Sequence, residues 1–88
     1  MNKLFSDDAW EDFLFWLNDK KTLKKIISLL NDIEQNGNTG IGKPEPLKYE
    51  LTGYWSRRIT EKDRLIYKID TETNTILIIG CKGHYDDI

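Results

Sequence analysis

In the run Tyr54-Trp55-Ser56-Arg57-Arg58-Ile59, strand alternation puts Trp55, Arg57 and Ile59 on one face and Tyr54, Ser56 and Arg58 on the other. A strand packed on helices turns its larger apolar set inward, which leaves Arg58 on the open face. The same rule in the next run sends Leu65, Tyr67 and Ile69 inward and leaves Arg64, Ile66 and Lys68 outside. Near the C-terminus Lys82 and His84 share a parity opposite to that of Cys81 and Tyr85. A sheet face holding Arg58, Arg64, Lys68 and His84 would attract phosphate, because guanidinium forks match its oxygens. A merely solvated, charged face would show the same alternation.

Glu45 sits between two prolines in Lys43-Pro44-Glu45-Pro46-Leu47-Lys48. Loop carboxylates are normally just solvated, but flanking prolines hold this backbone still. A rigid carboxylate flanked by Lys43 and Lys48 is what a general base near a phosphate needs. His84 is the one histidine, and histidine is the side chain whose unperturbed pKa, about 6.5, suits proton transfer near neutral pH. One His and one Cys cannot supply the four ligands of a usual zinc site. No Walker loop, nucleophile elbow or HExxH pattern is present.

These residues need elements to position them. Asn2 to Phe5 reads as a short first strand. Ser6 is a good N-cap, with Asp7 and Asp8 in the first turn, and Trp10, Phe13, Leu14 and Leu17 follow the spacing of a helix with one apolar face. Asp19 can cap a second helix with Leu23, Ile26, Ile27, Leu30 and Ile33 as its stripe, Leu29 at its flank and Gly37 as its stop. Four strand-like runs follow, Leu47 to Leu51, Tyr54 to Thr60, Arg64 to Ile69 and Thr75 to Lys82, with short connections that imply an antiparallel meander. Ile76 to Ile79 is apolar on both faces, which suits a central or covered strand. The expected architecture is α+β, in the order β-α-α-β-β-β-β, with two N-terminal helices packed on a small twisted antiparallel sheet.

Length allows one domain, residues 1–88. With 39% hydrophobic and 32% charged residues the composition is that of a globular chain rather than a disordered one. No apolar run approaches a membrane span or a signal peptide, and a lone Cys81 points to a reducing compartment, the cytoplasm. The net charge of −2 conceals a basic middle: residues 41–68 carry 7 Lys/Arg against 4 Asp/Glu.

Taken together, Gly42-Lys43-Pro44-Glu45-Pro46-Leu47-Lys48, Gly53-Tyr54-Trp55-Ser56-Arg57-Arg58-Ile59-Thr60, Asp63-Arg64-Leu65-Ile66-Tyr67 and His84-Tyr85 resemble, in order, the YoeB/Txe-type toxins of the RelE/ParE toxin–antitoxin superfamily. The resemblance runs from Trp10 to Tyr85. It implies a RelE-like fold and a ribosome-dependent endoribonuclease that cuts mRNA without metal or other cofactor. It also implies roles: Glu45 the base for the ribose 2′-OH, His84 the acid for the leaving oxygen, and Arg64 the cation on the transition state. Lys48 and Arg58 would support the phosphate, and Tyr85 would orient the substrate or stack on a base. The implied partners are a cognate YefM/Axe-like antitoxin, the ribosome with its mRNA, and a second copy in a homodimer. Other readings are a non-catalytic ParE-like inhibitor of DNA gyrase, which would not need both an acid and a base, and a plain RNA-binding module, for which Glu45 would not matter.

The chain departs from this family in continuing past the tyrosine with Asp86-Asp87-Ile88, whose carboxylates would raise the pKa of a nearby imidazole. Two further features suggest contacts. Phe15 lies about 160° from the centre of the first helix's apolar stripe, where it could meet a second subunit or an antitoxin. Lys20, Lys21, Lys24 and Lys25 crowd the start of the second helix, where the dipole disfavours cations, and hint at ribosomal RNA.

Overall fold

A computed structural model of the chain describes residues 1–84. Strand β1 is Asn2–Phe5. Ser6 then caps helix α1, Asp7–Phe15, by accepting the Ala9 N–H at 3.1 Å, and the chain tightens into a 3₁₀ turn at Trp16–Asn18. Asp19 starts helix α2, Lys20–Asn36, by accepting the N–H (3.1 Å) and the hydroxyl (2.9 Å) of Thr22. Gly37 ends it at a φ of +65°, where a side chain would be strained. All three punctuation marks stand where the sequence puts them.

Strands β2 (Glu45–Pro46), β3 (Trp55–Arg58), β4 (Arg64–Asp70) and β5 (Thr75–Gly80) join β1 in one sheet of order β1-β5-β4-β3-β2. The helices cover one face, so the α+β arrangement holds. The sheet is mixed rather than wholly antiparallel, because β1 pairs parallel with β5 while the other pairs are antiparallel. The helices and the meander lie between β1 and β5 in sequence, so no tight turn forces opposite directions. β5 is flanked on both sides by strands; its Ile76 and Ile78 are buried in the core, while Leu77 and Ile79 on the other face are only half-buried. No strand forms over Leu47 to Leu51, which instead holds a 3₁₀ turn at Tyr49–Leu51; the strand here is the two-residue β2, which ends before it. Pro46 has no N–H to donate and suits a sheet edge. Tyr49, at a φ of +55°, cannot continue a strand.

The core joins Ile26, Leu29, Leu30 and Ile33 of α2 to Leu65, Tyr67, Ile76 and Ile78 of the sheet. Leu29 is therefore central and Ile27 exposed, a small rotation from the expected stripe. In α1 and the 3₁₀ turn after it the rotation is larger. Ala9 and Trp16 are buried and Phe13 packs against the core, whereas Trp10, Leu14 and Leu17 are about half exposed. Polar bonds set that orientation. Trp16 Nε1–H donates to Cys81 O at 2.9 Å, and Asp12 accepts the Cys81 N–H at 3.0 Å. Phe15 is exposed as expected, with Lys82 Nζ 4.5 Å from its ring centre.

Candidate functional site

The strand registers bring distant residues to one end of the open sheet face. Glu45 pairs with Ser56, and Ser56 with Ile66, in one row across β2, β3 and β4; Arg58 pairs with Arg64. A hollow of about 150 Å³ there is lined by Lys43, Glu45, Leu47, Ser56, Arg58, Arg64 and His84. It is much smaller than the ~300–1,000 Å³ of drug-sized ligand pockets, and its size suits a phosphate group more than a whole nucleotide.

Backbone bonds hold each contributor. The segment bearing Glu45 is tied at both ends, to β3 and to the residue just before it: Arg58 N–H donates to Gly42 O at 2.7 Å and Leu47 N–H to Tyr54 O at 2.9 Å. Arg64 Nη1 donates to the carbonyls of Thr60 (2.9 Å), Glu61 and Asp63 (both 3.1 Å), so the turn before β4 fixes its guanidinium. The same turn anchors His84. Asp63 accepts the Gly83 N–H at 2.8 Å, and Arg64 N–H donates to Gly83 O at 2.9 Å. His84 is thus attached, through its neighbour, to the turn that presents Arg64.

Arg58 and Arg64 stand directly opposite each other on antiparallel strands, a like-charge pairing that weakens a sheet. The turn carbonyls on Arg64 offset part of that repulsion, and an anion between the two guanidinium groups would offset more. A carboxylate, an imidazole and two guanidinium groups around one small hollow can exchange protons with, and neutralise, a phosphate ester.

Of the residues singled out from the sequence, Glu45, Arg58, Arg64 and His84 come together. Lys48 is exposed on the segment after β2 and does not line the hollow. Nor does Lys68, expected on the same charged face: its Nζ lies 5.6 Å from the centre of the Tyr54 ring. Ile66 points as expected but is fully buried. Tyr85 and the Asp86-Asp87-Ile88 tail lie outside the described residues. Sequence reasoning put Ser56 on the face of Arg58 without giving it a role in the site, and it missed Asp63 as the anchor of His84. It also passed over Arg57, which is wholly buried. The signal was available, since alternation had placed this charge beside Trp55 and Ile59 on the inward face, and a buried charge requires partners.

A second, more open hollow of about 510 Å³ at the start of α2 includes Lys21, Lys24, Lys25, Ser28 and Thr60. Cys81 is buried, and burial pushes its thiol up to about 12, which keeps it protonated and inert. Among the described residues no group of three or more His, Cys, Asp and Glu could hold a metal ion, and no helix is long and apolar enough to cross a membrane.

Comparison with known proteins supplies the context. Residues 5–85 match a family model described as "YoeB-like toxin of bacterial type II toxin-antitoxin system". Toxin YoeB of Mycobacterium bovis is 53% identical over 82 residues, covering 92% of this chain and 94% of that protein. A YoeB/ParE toxin from Agrobacterium tumefaciens superposes with a TM-score of 0.93 at 36% identity, covering 97% of this chain and 100% of that one. YoeB from Staphylococcus aureus, solved as a dimer, superposes at 0.88 with 52% identity, covering 97% and 98%; it has also been solved in complex with YefM.

Proposed function

The chain belongs to the YoeB-like toxins of bacterial type II toxin–antitoxin systems, and from that premise we propose that it is an endoribonuclease that cuts mRNA on the ribosome. The Glu45 carboxylate takes the proton of a ribose 2′-OH. The freed 2′-oxygen attacks the adjacent phosphorus, the bond from phosphorus to the 5′-oxygen breaks, and the His84 imidazolium protonates that leaving oxygen. One fragment then ends in a 2′,3′-cyclic phosphate and the other begins with a 5′-hydroxyl. Arg64 and Arg58 stabilise the charge that builds on the phosphorane oxygens. Lys48 supports the RNA backbone beyond the hollow, and Tyr85 orients the substrate or stacks on a base.

The observation that carries this reading is the convergence of Glu45, Arg58, Arg64 and His84 on one hollow. The structures of the Staphylococcus aureus relative support the same partners here, a second copy of the chain and a YefM/Axe-like antitoxin; neutralisation by that antitoxin would cover or distort the hollow. The lysines at the start of α2 meet ribosomal RNA, and the protein works in the cytoplasm, where ribosomes and mRNA are.

Single-turnover cleavage of mRNA on programmed ribosomes is the test. Glu45→Gln and His84→Ala should each slow cleavage by about 10²–10⁴-fold, the usual weight of one general acid or base, with the fold intact by circular dichroism. Variants that cleave as fast as the parent would refute the mechanism. Growth arrest with intact mRNA and lost supercoiling activity would point to gyrase instead.

A further inference from the structure

Arg57 heads the fully buried side chains in volume, and every one of its N–H groups has an acceptor. Nε donates to Tyr67 Oη at 3.2 Å; Nη1 donates to Asp32 Oδ2 at 2.5 Å and to Ile41 O at 3.0 Å; Nη2 donates to Gly37 O at 2.7 Å and to Thr39 O at 3.0 Å. The cluster grips the same loop from two more atoms. Tyr67 Oη donates to Asn38 Oδ1 at 3.1 Å, and Asp32 Oδ2 accepts the Ile41 N–H at 3.0 Å. The loop between α2 and β2 is thus held along its first half by one buried charge cluster.

Such a guanidinium cannot reach RNA, so any effect it has on cleavage passes through what it holds. The residue after the loop's last anchor is Gly42, at a φ of +80°. A Cβ there would lie 2.7 Å from Leu29 Cδ2 and 3.2 Å from Arg57 Cβ. Its carbonyl is the one that accepts the Arg58 N–H, and three residues later Glu45 pairs with Ser56. Left alone, a loop with glycines at 37, 40 and 42 would sample many conformations.

We propose that the buried Arg57–Asp32–Tyr67 cluster is a positioning device that fixes the loop from 37 to 42 and thereby sets the Glu45 carboxylate at the hollow, making Arg57 a positioning residue for proton abstraction. This rests on the reading of Glu45 as the base. The physical leverage is large, since a displacement of about 1 Å in a reacting group can cost ~10²-fold in rate. Arg58, the next residue, faces the hollow, so a single strand carries the phosphate ligand on one side and the anchor of the base on the other.

The test is a double-mutant cycle on single-turnover mRNA cleavage, with Tyr67→Phe and Arg57→Lys each made in the parent and in Glu45→Gln. Tyr67→Phe keeps the ring in the core and removes one acceptor of Arg57 and the donor to Asn38. Each variant should slow the parent roughly 10-fold, with the half-saturating protein concentration unchanged. Each should slow Glu45→Gln by less than about 2-fold, because the group being positioned is already gone. Equal slowing in both backgrounds, or no slowing of the parent, overturns the proposal. If Arg57→Lys does not fold, Tyr67→Phe decides alone. Glu45→Gln by itself separates the two levels: if it cleaves as fast as the parent the base assignment fails, and if it is slow while the cycle is additive only the positioning role fails.

Discussion

Arg57 and Arg58 are adjacent in the chain and share a strand, yet their surroundings are opposites. Arg57 is wholly buried, faces the helices and has its full donor set matched by a carboxylate, a phenol and three loop carbonyls. Arg58 is exposed, lines the hollow and stands opposite another arginine. A saturated buried charge is architecture, because its removal strands its partners away from water. A like-charged pair left open to solvent is a local cost to stability that makes sense if an anion comes to sit there. The contrast teaches that a charge is read by how much of its hydrogen-bonding capacity the fold already uses.

Substituting each arginine by alanine should separate the two roles most widely. Arg57→Ala strands Asp32 and the loop carbonyls and should cost about 3–5 kcal/mol of stability. At ~4–8 °C per kcal/mol for a domain of this size, calorimetry should show a Tm lower by more than about 12 °C. Arg58→Ala should leave Tm within a few degrees, as exposed substitutions do, while cleavage falls by about 10²-fold, the weight of one donor to a developing oxyanion. If both variants lose stability alike, the comparison fails. A smaller effect sharpens it: inorganic phosphate should raise the parent's Tm by bridging Arg58 and Arg64, and should do so less in Arg58→Ala.

Acid should act on the inner cluster. Hydrogen bonding from Arg57, with help from the Ile41 N–H and Asn36, holds the Asp32 carboxyl below its ordinary value. A carboxylate with a lowered folded value stabilises the protein above the unfolded pKa, about 3.9, and loses that contribution as pH falls through the folded one. Thermal melts from about pH 5 downward should therefore show a fall in Tm that is shallower in Asp32→Asn. Equal slopes would mean that Asp32 does not contribute to acid lability. The smallest effect belongs to the outer lysines. Lys24→Glu with Lys25→Glu should weaken ribosome binding and flatten its salt dependence, without changing the single-turnover rate at saturation.

Local rules made much of this legible. Ser6, Asp19 and Gly37 could be placed because caps depend on neighbours a few residues away, and strand alternation sorted Arg57 from Arg58 because its period is two. The parallel pairing of β1 with β5 could not be read, since it joins segments about 70 residues apart. The facing of α1 was misjudged because the Trp16 and Asp12 bonds to Cys81, rather than the densest apolar stripe, orient it. In the site, Arg58, Arg64 and His84 were legible as types at suitable parity and Glu45 as a carboxylate held between two prolines, and all four line the hollow. That Lys48 and Lys68 stand off the hollow was not legible, because a left-handed Tyr49 ends the expected strand and the Tyr54 ring lies beneath the Lys68 ammonium.

The most direct measurement uses a ribosome-bound mRNA carrying one 2′-deoxynucleotide on the 5′ side of the scissile phosphate. If the 2′-oxygen is the nucleophile that Glu45 activates, the parent protein leaves that linkage uncut while cleaving the all-ribose message to a 2′,3′-cyclic phosphate and a 5′-hydroxyl. Cleavage of the deoxy linkage at the ribose rate would contradict the account.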